Sequence, residues 1–116
     1  MTTPENLKYF DGSVEELILE INLHEGLTVV KFGSSTCMPC RRIKQLLPGF
    51  ATNNPTVLFI DYEVDKHQDA AEKFNISSVP DTKFFKGKDE QGNPVIVDSV
   101  IGAQVPQIKA KIEQYK

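Results

Sequence analysis

The 116-residue sequence has no tryptophan, only two cysteines and no long run of apolar residues. Two cysteines are too few for the disulfide framework that holds a small secreted domain together. A membrane-spanning helix needs about 18 or more consecutive apolar residues, and no stretch approaches that length. The net charge of −3 comes without the basic stripe of a nucleic-acid-binding protein. We therefore expect the protein to bind neither membranes nor nucleic acids.

The length and composition are those of a single globular domain, which we place at residues 1–116. Hydrophobic residues make up 40% and charged residues 25% of the chain, as in ordinary soluble proteins. A chain of this size can bury a sufficient core without metal or disulfide support. The opening segment, MTTPENLKYF, has neither the basic start nor the apolar run of a secretory signal. We expect a cytoplasmic, monomeric protein.

Hydrophobic periodicity predicts alternating strands and helices. Short apolar runs predict strands at residues 7–10, 27–32, 57–60, 83–85 and 95–100, the last two forming a hairpin. Apolar residues recur at helical spacing within residues 14–21, 43–50, 70–74 and 105–115. The first helix has a capping box at Ser13 and Glu16 and closes at Gly26, and the third is capped by Asp65 with Gln68. The fold class is therefore α/β, with a central mixed sheet and helices on both faces.

The two cysteines form the motif Cys37-Met38-Pro39-Cys40, between the second predicted strand and the helix that follows it. Thiolate is the reactive form of cysteine, and the N–H groups and dipole of a helix N-terminus stabilise its negative charge. Helical spacing places Cys40 beneath Cys37, close enough for a disulfide and more deeply buried. We expect Cys37 to attack a substrate disulfide and form a mixed disulfide, which Cys40 then resolves.

A bare C-x-x-C motif also occurs as half of a zinc site. Zinc needs three or four protein ligands, and the remaining candidates, His24, His67 and several carboxylates, do not lie at zinc-ligand spacing from the pair. A pair of inert buried cysteines is the other alternative. We expect no metal, and no cofactor other than the reversible Cys37–Cys40 disulfide.

The residues around the motif resemble the thioredoxin family over nearly the whole chain, from about Leu7 to Tyr115. The landmarks that follow the family's order and spacing are Thr28-Val-Val-Lys-Phe, Ser35-Thr-Cys-Met-Pro-Cys-Arg, Asp65…Gln68-Asp69, Phe74-Asn-Ile-Ser-Ser-Val-Pro80, Phe84-Phe-Lys-Gly87 and Ile101-Gly102-Ala103. The resemblance implies the thioredoxin fold, reduction of disulfides in protein substrates, and recharging by a thioredoxin reductase.

The resemblance also implies three residues of a substrate groove. Pro80 matches the family's cis-proline that faces the dithiol, with the Val79 backbone presented to an extended substrate. Gly102 matches the small residue that leaves room beside the groove. An ordinary trans proline in a loop and a strand-ending turn glycine are the alternative interpretations.

Three positions next to the two cysteines and the predicted cis-proline depart from the family's pattern. Thr36 and Met38 stand where the family has tryptophan and glycine, and we expect both to contact the substrate and change its range. Asp81 follows the predicted cis-proline, where threonine is frequent. Its carboxylate either lies near the dithiol, where it would oppose ionisation of Cys37, or points outward from a loop.

Lys31 interrupts an apolar strand where the family commonly buries an aspartate, and Asp61 stands where the family often has a lysine. An unpaired buried ammonium is costly, so we predict that Lys31 and Asp61 pair beneath the active site with polarity opposite to the family's. Both are candidates for tuning the acidity of the thiols. The alternative is that Lys31 extends along the strand edge to solvent.

Three functions fit these residues. The first is a cytoplasmic protein-disulfide reductase that carries electrons between a reductase and its substrates. The second is a disulfide oxidant or isomerase whose potential is raised by Met38, Pro39 and the missing tryptophan, although the absent secretory signal counts against it. The third is a partner-binding module that uses the groove at Pro80, with secondary redox activity. Replacing Cys37 by serine should abolish the first two activities and spare binding in the third.

Overall fold

The computed structural model describes residues 3–116, which form a five-stranded sheet and four helices. The strands are β1 (Leu7–Phe10), β2 (Thr28–Gly33), β3 (Leu58–Glu63), β4 (Asp81–Lys88) and β5 (Pro94–Ile101). The helices are α1 (Val14–Leu23), α2 (Met38–Asn53), α3 (Gln68–Lys73) and α4 (Val105–Tyr115). This element order confirms the predicted order. Within residues 3–116, no helix combines the length and apolar character needed to cross a membrane.

The strands lie in the order β1-β3-β2-β4-β5. The first three of these are parallel, whereas β4 runs antiparallel to β2 and forms the predicted hairpin with β5. Because β2 and β3 are parallel, the loops after both strands leave the same edge of the sheet. The start of β4 lies at that edge too, since Asp81 pairs with Phe32 near the end of β2. Three chain segments therefore converge there: the loops after β2 and β3, and the one before β4.

Each face of the sheet has its own hydrophobic core, because successive side chains of a strand point to opposite faces. The core beneath α2 and α4 includes Val29, Phe59, Phe84, Ile43, Leu47, Ile108 and Ile112. The core beneath α1 and α3 includes Val30, Phe32, Ile60, Tyr62, Phe85, Leu17 and Ala70. Helices on both faces of a mixed sheet are the layered architecture that the sequence predicted.

The first helix begins where it was predicted and ends earlier. The hydroxyl of Ser13 accepts a hydrogen bond from the Glu16 N–H at 3.1 Å, and the Glu16 carboxylate accepts one from the Ser13 N–H at 2.9 Å. The helix ends at Leu23 rather than at Gly26, because the next residue, His24, has an extended backbone and its ring contacts the Thr56 carbonyl at 3.0 Å.

Candidate active site

The two cysteines lie at the start of α2, at the sheet edge where the three segments converge. Cys37 is the N-cap residue, and its sulfur accepts a hydrogen bond from the Cys40 N–H at 3.2 Å. Pro39 lies in the first turn, where its missing N–H leaves no helical bond unmade. The two cysteines form a disulfide with Cα atoms 5.2 Å apart. Their placement at a helix N-terminus is the one the sequence predicted.

The two sulfurs differ in their access to solvent. Cys40 is only 1% exposed, whereas Cys37 is half-buried. The neighbouring Thr36 and Met38 are exposed, Met38 to 67%. A large partner arriving from solvent therefore meets the Cys37 side of the disulfide, flanked by a hydroxyl and a thioether side chain.

Lys31 and Asp61 pair as predicted. They are register partners on the neighbouring strands β2 and β3, and Lys31 Nζ lies 2.8 Å from Asp61 Oδ1. Both side chains are 3% exposed, so Lys31 does not extend along the strand edge to solvent. The pair lies on the α2 face of the sheet, because Lys31 and Asp61 follow Val29 and Phe59 at a spacing of two residues.

Gly33 shows how close this pair is to the disulfide. A Cβ atom placed on Gly33 would lie 2.9 Å from Lys31 Nζ and 3.1 Å from Cys40 Sγ. Those two atoms are therefore no further apart than the sum of these distances, about 6 Å. Only a residue without a side chain leaves room for the ammonium and the sulfur together. Gly33 was not predicted as a site residue, since no local pattern in the sequence marks it.

Lys44 is a second site residue that was not predicted from the sequence. Its Nζ lies 3.6 Å from Asp61 Oδ2 and 5.5 Å from the centre of the Tyr9 ring. A cavity of about 190 Å³ is lined by Lys44, Lys31 and Cys40 among others. The signal that could have found Lys44 is its spacing of four residues from Cys40, which places both on one side of α2.

The proposed groove residues come together at the same edge of the sheet. The Val79–Pro80 peptide bond is cis, as the resemblance implied, and the Gly102 N–H donates to the Pro80 carbonyl at 2.8 Å. Gly102 directly follows β5 and has a φ of +87°, which by itself accounts for a glycine there. A Cβ atom on Gly102 would have Gln104 Cγ at 4.0 Å as its nearest neighbour.

Asp81 does not point outward from a loop, so that alternative is wrong. It is the first residue of β4 and only 2% exposed, and its Oδ2 lies 3.2 Å from Lys83 Nζ. Its register partner Phe32 belongs to the core beneath α1 and α3, on the face opposite α2. The carboxylate is thus paired with Lys83 on the face away from Cys40.

Asp65 does not cap α3, so that prediction is also wrong. The residue before α3 is His67, which makes no side-chain capping bond. The Asp65 carboxylate instead accepts hydrogen bonds from the Ser35 hydroxyl at 2.6 Å and the Ser35 N–H at 3.3 Å. The hydroxyl hydrogen bond is the main reason why the pKa of Asp65 is below its ordinary value. Asp65 thereby ties the loop after β3 to the loop that leads to Cys37.

The two histidines contact residues that do not belong to the disulfide site. His24 binds the Thr56 carbonyl, and His67 contacts Asp11 at 3.0 Å and stacks on Tyr62. Among the described residues, no three His, Cys, Asp or Glu side chains are grouped to hold a metal ion.

The sequence and the fold are similar to those of known thioredoxins. A family model described as Thioredoxin matches residues 8–114. A TPR repeat-containing thioredoxin of Arabidopsis thaliana is 35% identical over 89 residues, which are 77% of this chain but only 22% of that longer protein. Thioredoxin H5 of the same plant is 31% identical over 100 residues, 86% of this chain and 80% of the relative. The structure of Trichomonas vaginalis thioredoxin superimposes with a TM-score of 0.86 at 38% identity, covering 97% of this chain and 99% of that one.

These matches agree with what the residues themselves show. The family model covers nearly the whole chain, including the disulfide at the start of α2 and the cis-proline before β4. The departures from the family's pattern at Thr36, Met38 and Lys31 change side chains around the disulfide and leave the fold intact. The chain belongs to the thioredoxin family of thiol–disulfide oxidoreductases.

Proposed function

We propose that the protein reduces disulfide bonds of other proteins through its own Cys37–Cys40 pair. The observation that carries this proposal is the asymmetry of the two sulfurs at the start of α2, one accessible and one buried. The accessible Cys37 thiolate attacks one sulfur of the substrate disulfide, and the other substrate sulfur leaves and takes up a proton. Cys40, as thiolate, then attacks Cys37.

The second attack completes the reaction, which is then balanced in electrons and atoms. The new bond joins Cys40 to Cys37, the bond between Cys37 and the substrate breaks, and the second substrate sulfur leaves as a thiol. Two electrons and two protons have passed from the protein to the substrate, and the protein is left as the disulfide seen here. A thioredoxin reductase of the cell would return the electrons. The reaction needs no cofactor besides this disulfide.

We assign the substrate contacts to the exposed rim of the disulfide. Thr36 and Met38 flank Cys37, while Val79, Pro80 and Gly102 form the opposite side of the groove, where the Val79 backbone can pair with an extended substrate. The flexible thioether of Met38 adapts to substrates of different shape. We place the protein in the cytoplasm, as a monomer that serves as an electron carrier.

Trapping of the mixed disulfide tests the assigned roles. The reduced Cys40→Ser variant, mixed with insulin, should form a covalent adduct that dithiothreitol releases, because Cys37 attacks and nothing resolves the product. The Cys37→Ser variant should form no such adduct. Equal adducts from both variants would overturn the assignment, and a wild-type protein that does not speed insulin reduction by dithiothreitol would overturn the function.

One observation favours the oxidant or isomerase as a second candidate. Lys31, within about 6 Å of Cys40 Sγ, and Lys44 share the single carboxylate of Asp61. The excess positive charge favours thiolate and hence the reduced state, which raises the reduction potential. Equilibration with glutathione buffers followed by thiol alkylation measures that potential without a tryptophan signal. A value near about −270 mV supports the general reductant, and one at about −180 mV or above supports the oxidant or isomerase.

A further inference from the structure

Three charged side chains from three elements meet beneath the disulfide, and we call them the charge cluster: Lys31 of β2, Asp61 of β3 and Lys44 of α2. Asp61 is shared, with Oδ1 2.8 Å from Lys31 Nζ and Oδ2 3.6 Å from Lys44 Nζ. Two cations and one carboxylate leave a formal charge of +1. A buried lysine–aspartate pair alone would be neutral, so the third residue decides the sign.

The charge cluster lies next to the buried sulfur rather than the accessible one. Lys31 Nζ is within about 6 Å of Cys40 Sγ, as the space around Gly33 shows. The cavity of about 190 Å³ that Cys40 lines is also lined by Lys31 and Lys44. A positive charge this close to a buried cysteine favours its thiolate.

We propose that Lys44 is a tuning residue for the disulfide exchange: by sharing Asp61 it leaves the positive charge of Lys31 partly uncompensated, and so promotes the thiolate of Cys40. The step concerned is the release of substrate. Cys40 loses its proton to solvent, its sulfur forms the bond to Cys37, and the substrate sulfur leaves with the electron pair and takes up a proton. This inference rests on the proposed function, because it concerns the second step of that reaction.

Other charged groups near the cavity do not change the sign of the charge cluster. Arg41 and Glu63 also line the cavity, and Glu63 lies 3.2 Å from Lys66 Nζ, which balances its carboxylate. Arg41 is exposed and adds positive charge. Asp81, with its own partner Lys83, belongs to the other face of the sheet. Among the described residues, Asp61 is the one carboxylate within ion-pair distance of Lys31 or Lys44.

The test is a titration of the Cys40 thiolate, followed by its ultraviolet absorbance, in full-length Cys37→Ser protein. Adding Lys44→Met should lower the acid dissociation constant of Cys40 by roughly two- to fivefold, the size expected for removing a half-exposed charge. Adding Asp61→Asn should raise the constant, because both cations then act on the sulfur. Lys109→Met, an exposed lysine of α4 that makes no ion pair among the described residues, is the matched control and should leave the constant unchanged.

The salt dependence of the titration and the rate of insulin release distinguish an electrostatic effect of Lys44 on Cys40 from a structural one. Because Lys44 is 48% exposed, the difference caused by Lys44→Met should shrink in about 1 M salt, whereas that of Asp61→Asn should persist. With both cysteines present, Lys44→Met should slow the release of insulin from the transient Cys37–insulin mixed disulfide several-fold at neutral pH, and Lys44→Arg should restore the rate. Far-ultraviolet circular dichroism checks that each variant is folded.

The outcomes are distinguishable. A Lys44→Met variant that titrates like Lys109→Met overturns the inference, and so does an Asp61→Asn variant whose constant falls together with that of Lys44→Met. If Asp61→Asn does not fold, the comparison of Lys44→Met with Lys109→Met decides by itself. A wild-type protein that does not reduce insulin refutes the proposed function instead, whatever the titrations give.

Discussion

Replacing Asp61 by alanine should destabilise the protein more than replacing Lys31 by methionine. Lys31 is 3% exposed, and Asp61 is its one ion-pair partner among the described residues, so Asp61→Ala strands an ammonium inside the protein. Loss of one member of a buried ion pair costs about 3–5 kcal/mol. Lys31→Met keeps most of the volume of the side chain and leaves Asp61 paired with Lys44 at 3.6 Å, a partner that reaches solvent.

The smaller cost of Lys31→Met can be estimated from the bond it removes. A hydrogen bond to a charged group contributes about 1.5–3 kcal/mol, and the remaining carboxylate keeps one cation. The midpoints of these two ranges differ by about 2 kcal/mol, and we expect the free energy of unfolding to fall by about that much further in Asp61→Ala than in Lys31→Met.

Urea denaturation of the oxidised proteins at pH 7, followed by far-ultraviolet circular dichroism, measures both changes, provided that the slopes with urea are equal. Glu20→Ala is the control: it removes one partner of the exposed pair between Lys8 and Glu20, 2.7 Å apart, and should cost less than about 1 kcal/mol. If Lys31→Met proves as destabilising as Asp61→Ala, Lys44 does not support Asp61 and the asymmetry argued from the distances is refuted.

Two further substitutions test the packing around the site and beneath α1 and α3. Gly33→Ala would place a methyl group 3.1 Å from Cys40 Sγ, so urea denaturation should show a loss of about 1–3 kcal/mol. Burial raises the pKa of Tyr62 to about 12, and its hydroxyl donates to the Gly12 carbonyl at 2.9 Å. Tyr62→Phe should cost about 1 kcal/mol at pH 7. The wild type should lose stability as the pH rises from about 10 towards 12, and Tyr62→Phe should not show this loss.

The sign of the alkaline effect follows from the direction of the shift. A phenol whose pKa is raised by folding stabilises the native state below its unfolded value of 10.0, and this contribution disappears as the pH rises through the folded value. Equal losses of stability in Tyr62→Phe and wild type between these pH values would contradict the assignment. A Gly33→Ala variant as stable as the wild type would show that the sulfur and the ammonium can move apart freely.

Local patterns in the sequence were sufficient for the element order and for the reactive pair. Capping residues, apolar periodicity and strand-length runs depend on neighbours in the chain, which is why the start of α1 and the position of Cys37 before α2 were predicted. The ion pair of Lys31 and Asp61 was predictable for a related reason. Lys31 interrupts an apolar strand and needs a buried partner, and the resemblance to the thioredoxin family, with lysine and aspartate exchanged, indicated that this partner is Asp61.

Only the tertiary structure decided which loops and faces meet. The position of Asp65 in the sequence is typical of a helix cap. Because the parallel strands β2 and β3 end side by side, the Ser35 hydroxyl instead donates a hydrogen bond to the Asp65 carboxylate at 2.6 Å. Asp81 and Lys83 lie two residues apart on β4, and the pairing of Asp81 with Phe32 places them on the face of the sheet away from α2. Lys44 reaches Asp61 only after α2 has packed across the sheet. The net charge beneath the disulfide is thus fixed by contacts between residues distant in the chain, because the spacing of Lys44 from Cys40 sets its side of α2 but not its contact with Asp61.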